Sequence, residues 1–460
     1  MLNLILNTDS YKTSHYCQYP TGTQYVSSYI ESRGGEFADT LVFGLQAFIR
    51  QYLCRPISMD DINEADAILS AHGVPFNRAG WEYILNSHKG FLPIEIQAVA
   101  EGTLLPTGNV MVQVINTDPA CAWLTSYVET ALLRAIWYPT TVATLSYQCK
   151  QVIGRYLQKT ANNLDGLPFK LHDFGARGAS SEETAALGGA AHLINFMGTD
   201  TLSGIVAARR YYRANMPGFS IPAAEHSTIT SWGKNGESAA YANMLQQFGG
   251  AGRLVAVVSD SYDLWNAINR IWGDELKEQV ETMGGTLVVR PDSGNPLEVV
   301  PQALENLMDK FGYHTNSKGY RVLPDCIRLI QGDGVSLRSI EAILAALEAR
   351  GISADNLAFG MGGELLQKVN RDTQKFAMKA SAICVQGEWR DISKDPITDP
   401  GKRSKRGRLA LIRSNGQYQT IREDQLGLQP NLLVPVFRNG ELLVQYSFDE
   451  IRARAGRQAI

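Results

Sequence analysis

Seven short apolar runs in this chain each stop abruptly at charged, glycine or other polar residues. They are Lys170–Gly178, Ile194–Asp200, Phe219–His226, Leu254–Asp260, Leu287–Gly294, Ile327–Gly334 and Leu357–Gly363. They recur roughly every 25–40 residues, with helix-like segments between most of them, a spacing that suits repeated βα units. The expected class is α/β, with an incomplete or irregular (β/α) barrel. In such a barrel the polar residues just past each strand gather at one face, where active sites lie. The repetition therefore places seven chemically loaded loops around one opening.

The rest of the sequence narrows what those loops can serve. At 460 residues the chain can bury more than one core. A content of 44% hydrophobic and 19% charged residues is that of an ordinary soluble globular protein. A net charge of -3 argues against whole-protein attraction to nucleic acid. No apolar run approaches the about 18 residues that span a bilayer, so no membrane association is expected. Cys17, Cys54, Cys121, Cys149, Cys326 and Cys384 form no CxxC pair and no zinc-spaced cluster. With no basic region, apolar run and cleavage site at the N-terminus, they suggest reduced thiols in the cytoplasm.

Three segments are expected. Residues 1–167 mix strand-like runs (Gln24 to Ile30, Ile94 to Ala100) with helical ones (Leu41 to Leu53, Asp60 to His72, Leu124 to Leu133, Thr144 to Thr160). Residues 168–385 form the barrel. Residues 386–460 carry a basic, proline-containing loop and a hairpin signal at Arg438-Asn439-Gly440. The tail is too short for a large core of its own, so it is expected to join the N-terminal segment in a second, α+β domain.

Phosphate recognition is the clearest chemical theme. Gly360-Met361-Gly362-Gly363 lies between a strand-like run and the helix-like Glu364 to Val369, where backbone N–H groups can approach an anion. A tight turn is the plainer reading of the same glycines. The stretch Lys394–Arg408 holds Lys402, Arg403, Lys405, Arg406 and Arg408 beside turn formers, which suits a polyanion, although solvated loops also carry such runs. Asp260, Asp292 and Asp333 each follow a strand. They can hold sugar hydroxyls or Mg²⁺, or they can cap the next helix. His226 follows small residues at a strand end, beside Glu225, which could orient it; His172 lies inside its run and reads as structural.

Several longer motifs together resemble the nicotinamide phosphoribosyltransferase family. They are His172–Gly178, Gly198–Thr201, Pro222–Ser227, Val258–Asp263, Arg290–Pro296 and Gln331–Gly334, with Thr8–Lys12 at the start and Lys402–Lys405 in the tail. The resemblance runs colinearly along essentially the whole chain. It implies transfer of phosphoribosyl from phosphoribosyl pyrophosphate to nicotinamide, with Mg²⁺ and with stimulation by ATP. It implies a homodimer with both sites at the interface, the base stacking between Phe174 and Tyr11 of the partner subunit. Asp200 would accept the amide N–H₂ and Arg290 would hold the amide oxygen. Asp292 and Asp333 would take the ribose hydroxyls. Gly362, Gly363, Arg371 and Lys379 would surround the 5′-phosphate, and Gly332 belongs with the ribose and phosphate contacts. Arg177, Arg33, Lys394 and Lys402 would face pyrophosphate. Asp260 would sit near the reacting centre, and His226 would receive phosphate from ATP.

Two positions depart from the family pattern. Ala176 stands where a larger residue is frequent and Ala256 where a serine is common; both should line the passage behind the base. Two rivals remain at this point. A nicotinate phosphoribosyltransferase is disfavoured by Asp200, whose carboxylate would repel that of nicotinate. A non-catalytic nucleotide- or phosphosugar-binding protein would release no pyrophosphate.

Overall fold

Leu254–Val258 reads Leu-Val-Ala-Val-Val, and Thr286–Arg290 and Ile327–Gln331 are nearly as apolar. Continuous apolar runs of this kind are what a strand covered on both faces requires. In the computed structural model, which describes residues 3–398 and 403–457, they lie side by side in a parallel sheet. The sheet has six strands, in the order Gly198–Thr199, Leu171–Asp173, Leu357–Met361, Ile327–Gln331, Thr286–Arg290 and Leu254–Val258.

The seventh stretch closes the ring. Phe219 bridges Gly198 at one edge of the sheet, and Ala223 bridges Ala256 at the other, both in the parallel sense. Thr199 N donates to Phe219 O (3.0 Å), and Ala224 N donates to Ala256 O (2.9 Å). Pro222 lies between these contacts and can donate no backbone hydrogen bond, so a regular strand does not form there. The barrel is thus irregular, as expected from the sequence.

Alternation along the strands sorts the side chains. Ala256, Val288 and Ile330 pack together with Phe174, Ile221 and Ala358 inside the ring. Register pairs Ala256 with Val288, Ile330 with Ala358, and Gly360 with His172 on that same face. The alternate set, including Val255, Val257, Leu287, Val289, Leu329 and Phe359, is buried on the outer face. Continuing the inner register past the strand ends brings Asp260, Arg290, Asp292, Gly332, Gly362, Phe174 and Asp200 to the mouth.

This barrel belongs to a unit made of residues 145–206 and 215–369; residues 3–144, 207–214 and 370–457 form the other. The bounds read from the sequence, 168 and 385, therefore shift. Phe376–Val385 is not a barrel strand; it pairs antiparallel with Thr23–Ser32, so the tail enters the second sheet earlier than expected. At the other end, the two helices read at 124–133 and 144–160 are a four-residue helix, Leu124–Tyr127, and one long helix, Glu129–Thr160, which continues through Pro139.

The second unit is organised on a seven-stranded antiparallel sheet in the order Glu388–Asp391, Phe376–Val385, Thr23–Ser32, Val110–Asn116, Ile94–Ala98, Val434–Arg438 and Glu441–Leu442. The expected hairpin is present: Asn439 and Gly440 both have positive φ (49° and 91°), as a two-residue turn between twisted strands requires. Among the described residues no helix is long and apolar enough to cross a membrane.

Candidate active site

The three strand-end acids are not helix caps. The helix that begins at Leu264 is capped by Asp263, Pro296–Phe311 by Asn295, and Leu337–Ala349 by Ser336. Asp260, Asp292 and Asp333 are therefore left for other work. Asp292 N donates to Asp260 Oδ2 (3.0 Å), and Ser293 Oγ donates to the same oxygen (2.5 Å). His226 Nε2 lies 3.1 Å from Asp260 Oδ1, and its Nδ1 lies 3.9 Å from Asp292 Oδ2. Arg290 Nη2 is 3.6 Å from Asp292 Oδ2.

Exposure assigns roles within this group. The Asp260 side chain is only 4% exposed and the His226 ring 44%. A buried carboxylate on Nε2 fixes the ring and leaves its other edge toward the mouth. His226 opens the short helix His226–Thr230 rather than lying in a loop. Glu225 does not orient it; its carboxylate accepts from the Ser227 hydroxyl instead. Burial raises the pKa of Asp292, Arg290 opposes that shift, and the carboxylates of Asp260 and Asp333 reinforce it. Asp333 itself is exposed.

Glycine makes room for the aromatic platform. A Cβ at Gly360 would lie 2.0 Å from Phe174 Cε2, so only glycine lets the ring lie there. A Cβ at Gly332 would stand between Phe174 Cε2 (3.5 Å) and Asp292 Oδ1 (3.6 Å), which locates the ring beside the acids. Gly178 packs against Gly363, 3.4 Å from its Cα to the Cβ position, so the loop bearing the exposed Arg177 lies against the Gly362-Gly363 turn. His172 is structural, as read: its Nε2–H donates to Phe169 O (3.0 Å), and burial lowers its pKa, keeping it neutral.

Asp200 is exposed and accepts from Ser220 Oγ (2.5 Å). Its backbone N donates to Asp173 O (2.9 Å). Asp173 is fully buried on the outer face, and its Oδ1 accepts from Gly175 N (2.7 Å). Burial raises its pKa to about 6, with the Asp200 charge adding to the rise. Ser220, Ser293 and Asp173 went unassigned in the sequence. All three lie inside motifs noted there, but nothing in their residue type marks them as partners of Asp200, Asp260 and Gly175.

The remaining expected residues belong to the antiparallel unit. Tyr11 is 60% exposed, with the Lys12 ammonium 5.1 Å from its ring centroid. Lys12 is buried and pairs with Glu129 (2.7 Å). Arg33 Nε pairs with Glu31 Oε1 (3.0 Å), and Lys405 pairs with the other Glu31 oxygen. Lys379 is half-buried; burial lowers its pKa, Glu129 resists this, and Arg33, Lys12 and Lys394 add to it. The main chain closes a loop at Lys394 and Ser404, through Lys394 N to Ser404 Oγ and Ser404 N to Lys394 O, both 2.8 Å. Arg371 is exposed and pairs with Asp372 (3.1 Å). Lys402 lies outside the described residues. Among the described residues no three His, Cys, Asp or Glu side chains gather as a metal-binding group.

Comparison with known proteins identifies the family. Residues 169–440 match the nicotinate phosphoribosyltransferase (NAPRTase) family, and residues 3–96 match the nicotinamide phosphoribosyltransferase N-terminal domain. The chain is 54% identical to a nicotinamide phosphoribosyltransferase of Xanthomonas campestris, with 98% of each chain covered. It is 33% identical to that of Acinetobacter baylyi, over 99% of this chain and 98% of that one. The fold is shared with a nicotinate-nucleotide pyrophosphorylase from Pyrococcus furiosus (TM-score 0.62, 15% identity, 99% and 95% covered). It is shared also with human nicotinic acid phosphoribosyltransferase (TM-score 0.57, 17% identity, 98% and 93% covered). The chain belongs to the nicotinamide phosphoribosyltransferase family.

Proposed function

We propose that this chain transfers the phosphoribosyl group of 5-phosphoribosyl 1-pyrophosphate to nicotinamide, giving nicotinamide mononucleotide and pyrophosphate in NAD salvage. The ring nitrogen lone pair forms the new bond to ribose C1. The C1–O bond breaks and its electron pair leaves on pyrophosphate. Positive charge builds on ribose as this happens, and carboxylates are the groups that stabilise it. Asp292 and Asp333 suit the ribose hydroxyls, with Asp260 behind them. Phe174 offers one flat face for the base, and Arg290 suits the amide oxygen. Gly332, Gly362, Gly363 and Arg177 line the phosphate side of the same unit.

The cations Arg33, Arg371, Lys379, Lys394 and Lys402 suit phosphate and pyrophosphate, and Tyr11 suits the second face of the base. We assign Tyr11 to the partner subunit of a homodimer with shared sites. Mg²⁺ fits as an ion carried chiefly by the diphosphate oxygens, since the described side chains provide no cage for it. When bound it would neutralise charge on the leaving group. ATP is read as a stimulating co-substrate that phosphorylates His226, whose ring is exposed on one edge and fixed by Asp260 on the other. The six free cysteines support a reducing, cytoplasmic location.

Asp200 carries the choice of base. Its carboxylate, fixed by Ser220, can accept the amide N–H₂ and repels the carboxylate of nicotinate. Pyrophosphate release should be measured with each base. Nicotinamide should be preferred, and Asp200→Asn should shift the ratio of kcat/KM values toward nicotinate by about tenfold or more. An unchanged ratio would remove Asp200 from base recognition.

A further inference from the structure

One buried carboxylate in the antiparallel unit organises more cations than a structural ion pair needs. Glu31 lies in the strand Thr23–Ser32, and its side chain is 4% exposed. Three groups converge on it. Arg33 Nε donates at 3.0 Å, the Tyr29 hydroxyl donates at 3.4 Å, and the Lys405 ammonium forms an ion pair. The Tyr29 oxygen also accepts from Lys405 N (2.8 Å). Lys405 is therefore held at both its main chain and its side chain.

Arg33 is only partly satisfied by this arrangement. Its Nη2 is buried and makes no hydrogen bond of good geometry, although the guanidinium also interacts with the Tyr29 hydroxyl. A buried guanidinium N–H without an acceptor is costly, and such a group in a folded protein calls for an explanation, of which an absent ligand is one. The surroundings specify the ligand's charge. Lys379 feels the charges of Arg33, Lys12 and Lys394, with Glu129 the opposing carboxylate beside it. With Lys405 this makes five cations against Glu31 and Glu129, a local excess that suits a polyanion.

We propose that Glu31 is a positioning residue for polyanion binding: it aims Arg33 so that Nη2 meets a phosphate oxygen, and it holds Lys405 beside that point. The inference rests on the reading of Arg33 as a pyrophosphate contact. Glu31 itself would repel the ligand; its effect is exerted through the two cations.

The test compares Glu31→Gln, Arg33→Ala and the double variant in the full-length enzyme. Glu31→Gln should raise KM for phosphoribosyl pyrophosphate about tenfold and leave KM for nicotinamide within about twofold. Arg33→Ala should act in the same direction. The double variant should be little worse than the larger single effect, because one residue works through the other. If Arg33→Ala leaves the KM for phosphoribosyl pyrophosphate unchanged, the reading of Arg33 is wrong and this inference goes with it. If Arg33→Ala raises that KM while Glu31→Gln does not, or raises both KM values equally, Arg33 stands and Glu31 is merely structural. Should Glu31→Gln not fold, Lys405→Met carries the test. A severalfold rise confined to phosphoribosyl pyrophosphate supports the proposal, and no rise overturns it.

Discussion

At the carboxyl ends of the parallel strands, Asp260, Asp292 and Asp333 stand clear of helix capping, and two of them adjoin a histidine. In the antiparallel unit the carboxylates Glu31 and Glu129 are engaged by Arg33, Lys405 and Lys12. The first region presents negative charge with few counterions. The second presents positive charge held in place by the buried Glu31 and the partly exposed Glu129. Glycosidic cleavage at phosphoribosyl pyrophosphate needs both kinds of field, one at ribose and one at the leaving group. In the proposed reaction each unit would supply one of them.

The largest test of this division asks whether each site must draw on two chains. Asp292→Ala and Tyr11→Ala homodimers should each lose roughly a thousandfold in kcat/KM. When the two variants are mixed under conditions of subunit exchange, about half of the dimers pair one of each, and each of these has one intact site. Activity should recover to roughly a quarter of wild type. If exchange is demonstrated and activity stays at the mean of the two variants, Tyr11 is not supplied by the partner subunit.

A second test separates the chemistry of the acids from that of His226. His226→Ala should abolish incorporation of acid-labile label from ATP and remove ATP stimulation, about tenfold or more in kcat/KM. Part of the ATP-independent activity should survive, since the carboxylates act on ribose without the imidazole. Equal labelling of the variant would mean that another residue receives phosphate.

The smallest expected effect concerns stability. Asp173 has its pKa raised to about 6 in the folded chain, against an ordinary value of 3.8. A group raised on folding favours the fold below its unfolded pKa, and that contribution is lost as pH rises through the folded pKa. Asp173→Asn avoids burying the charge. Its thermal midpoint should therefore exceed that of wild type by several degrees at pH 8, equivalent to at most about 3 kcal/mol. The gap should close as pH falls from about 6 to about 4. A gap independent of pH would show that this carboxyl does not titrate there.

The same contrast explains what was legible in the sequence. Strand-end residues could be read because a polar residue that interrupts an apolar run has few ordinary reasons to be there; Asp200, Asp292 and His226 announce themselves that way. The ring of strands was legible for the same reason. Glu31 was not, because Tyr29-Ile30-Glu31-Ser32 reads as any half-buried strand, and its partner Lys405 lies 374 residues away. Nor was Asp173, which sits beside Phe174 but faces the outer layer, because direction in a strand alternates and only the register reveals it. The barrel's end was misplaced because Phe376–Val385 is as apolar as a barrel strand, and pairing partners are not written in composition.

The seam that closes the barrel has a consequence of its own. The stretch from Phe219 to Ala224 is tethered to Gly198 at one end and to Ala256 at the other. Ser220, near its first anchor, grips Asp200, and His226 follows two residues beyond its last. A few residues of backbone therefore act as a ruler between the group that would read the base and the group that would accept phosphate. Phosphorylation that shifted His226 against Asp260 would pull on the same short tether, so energy from ATP could be felt as tension at the base pocket with no longer path through the molecule.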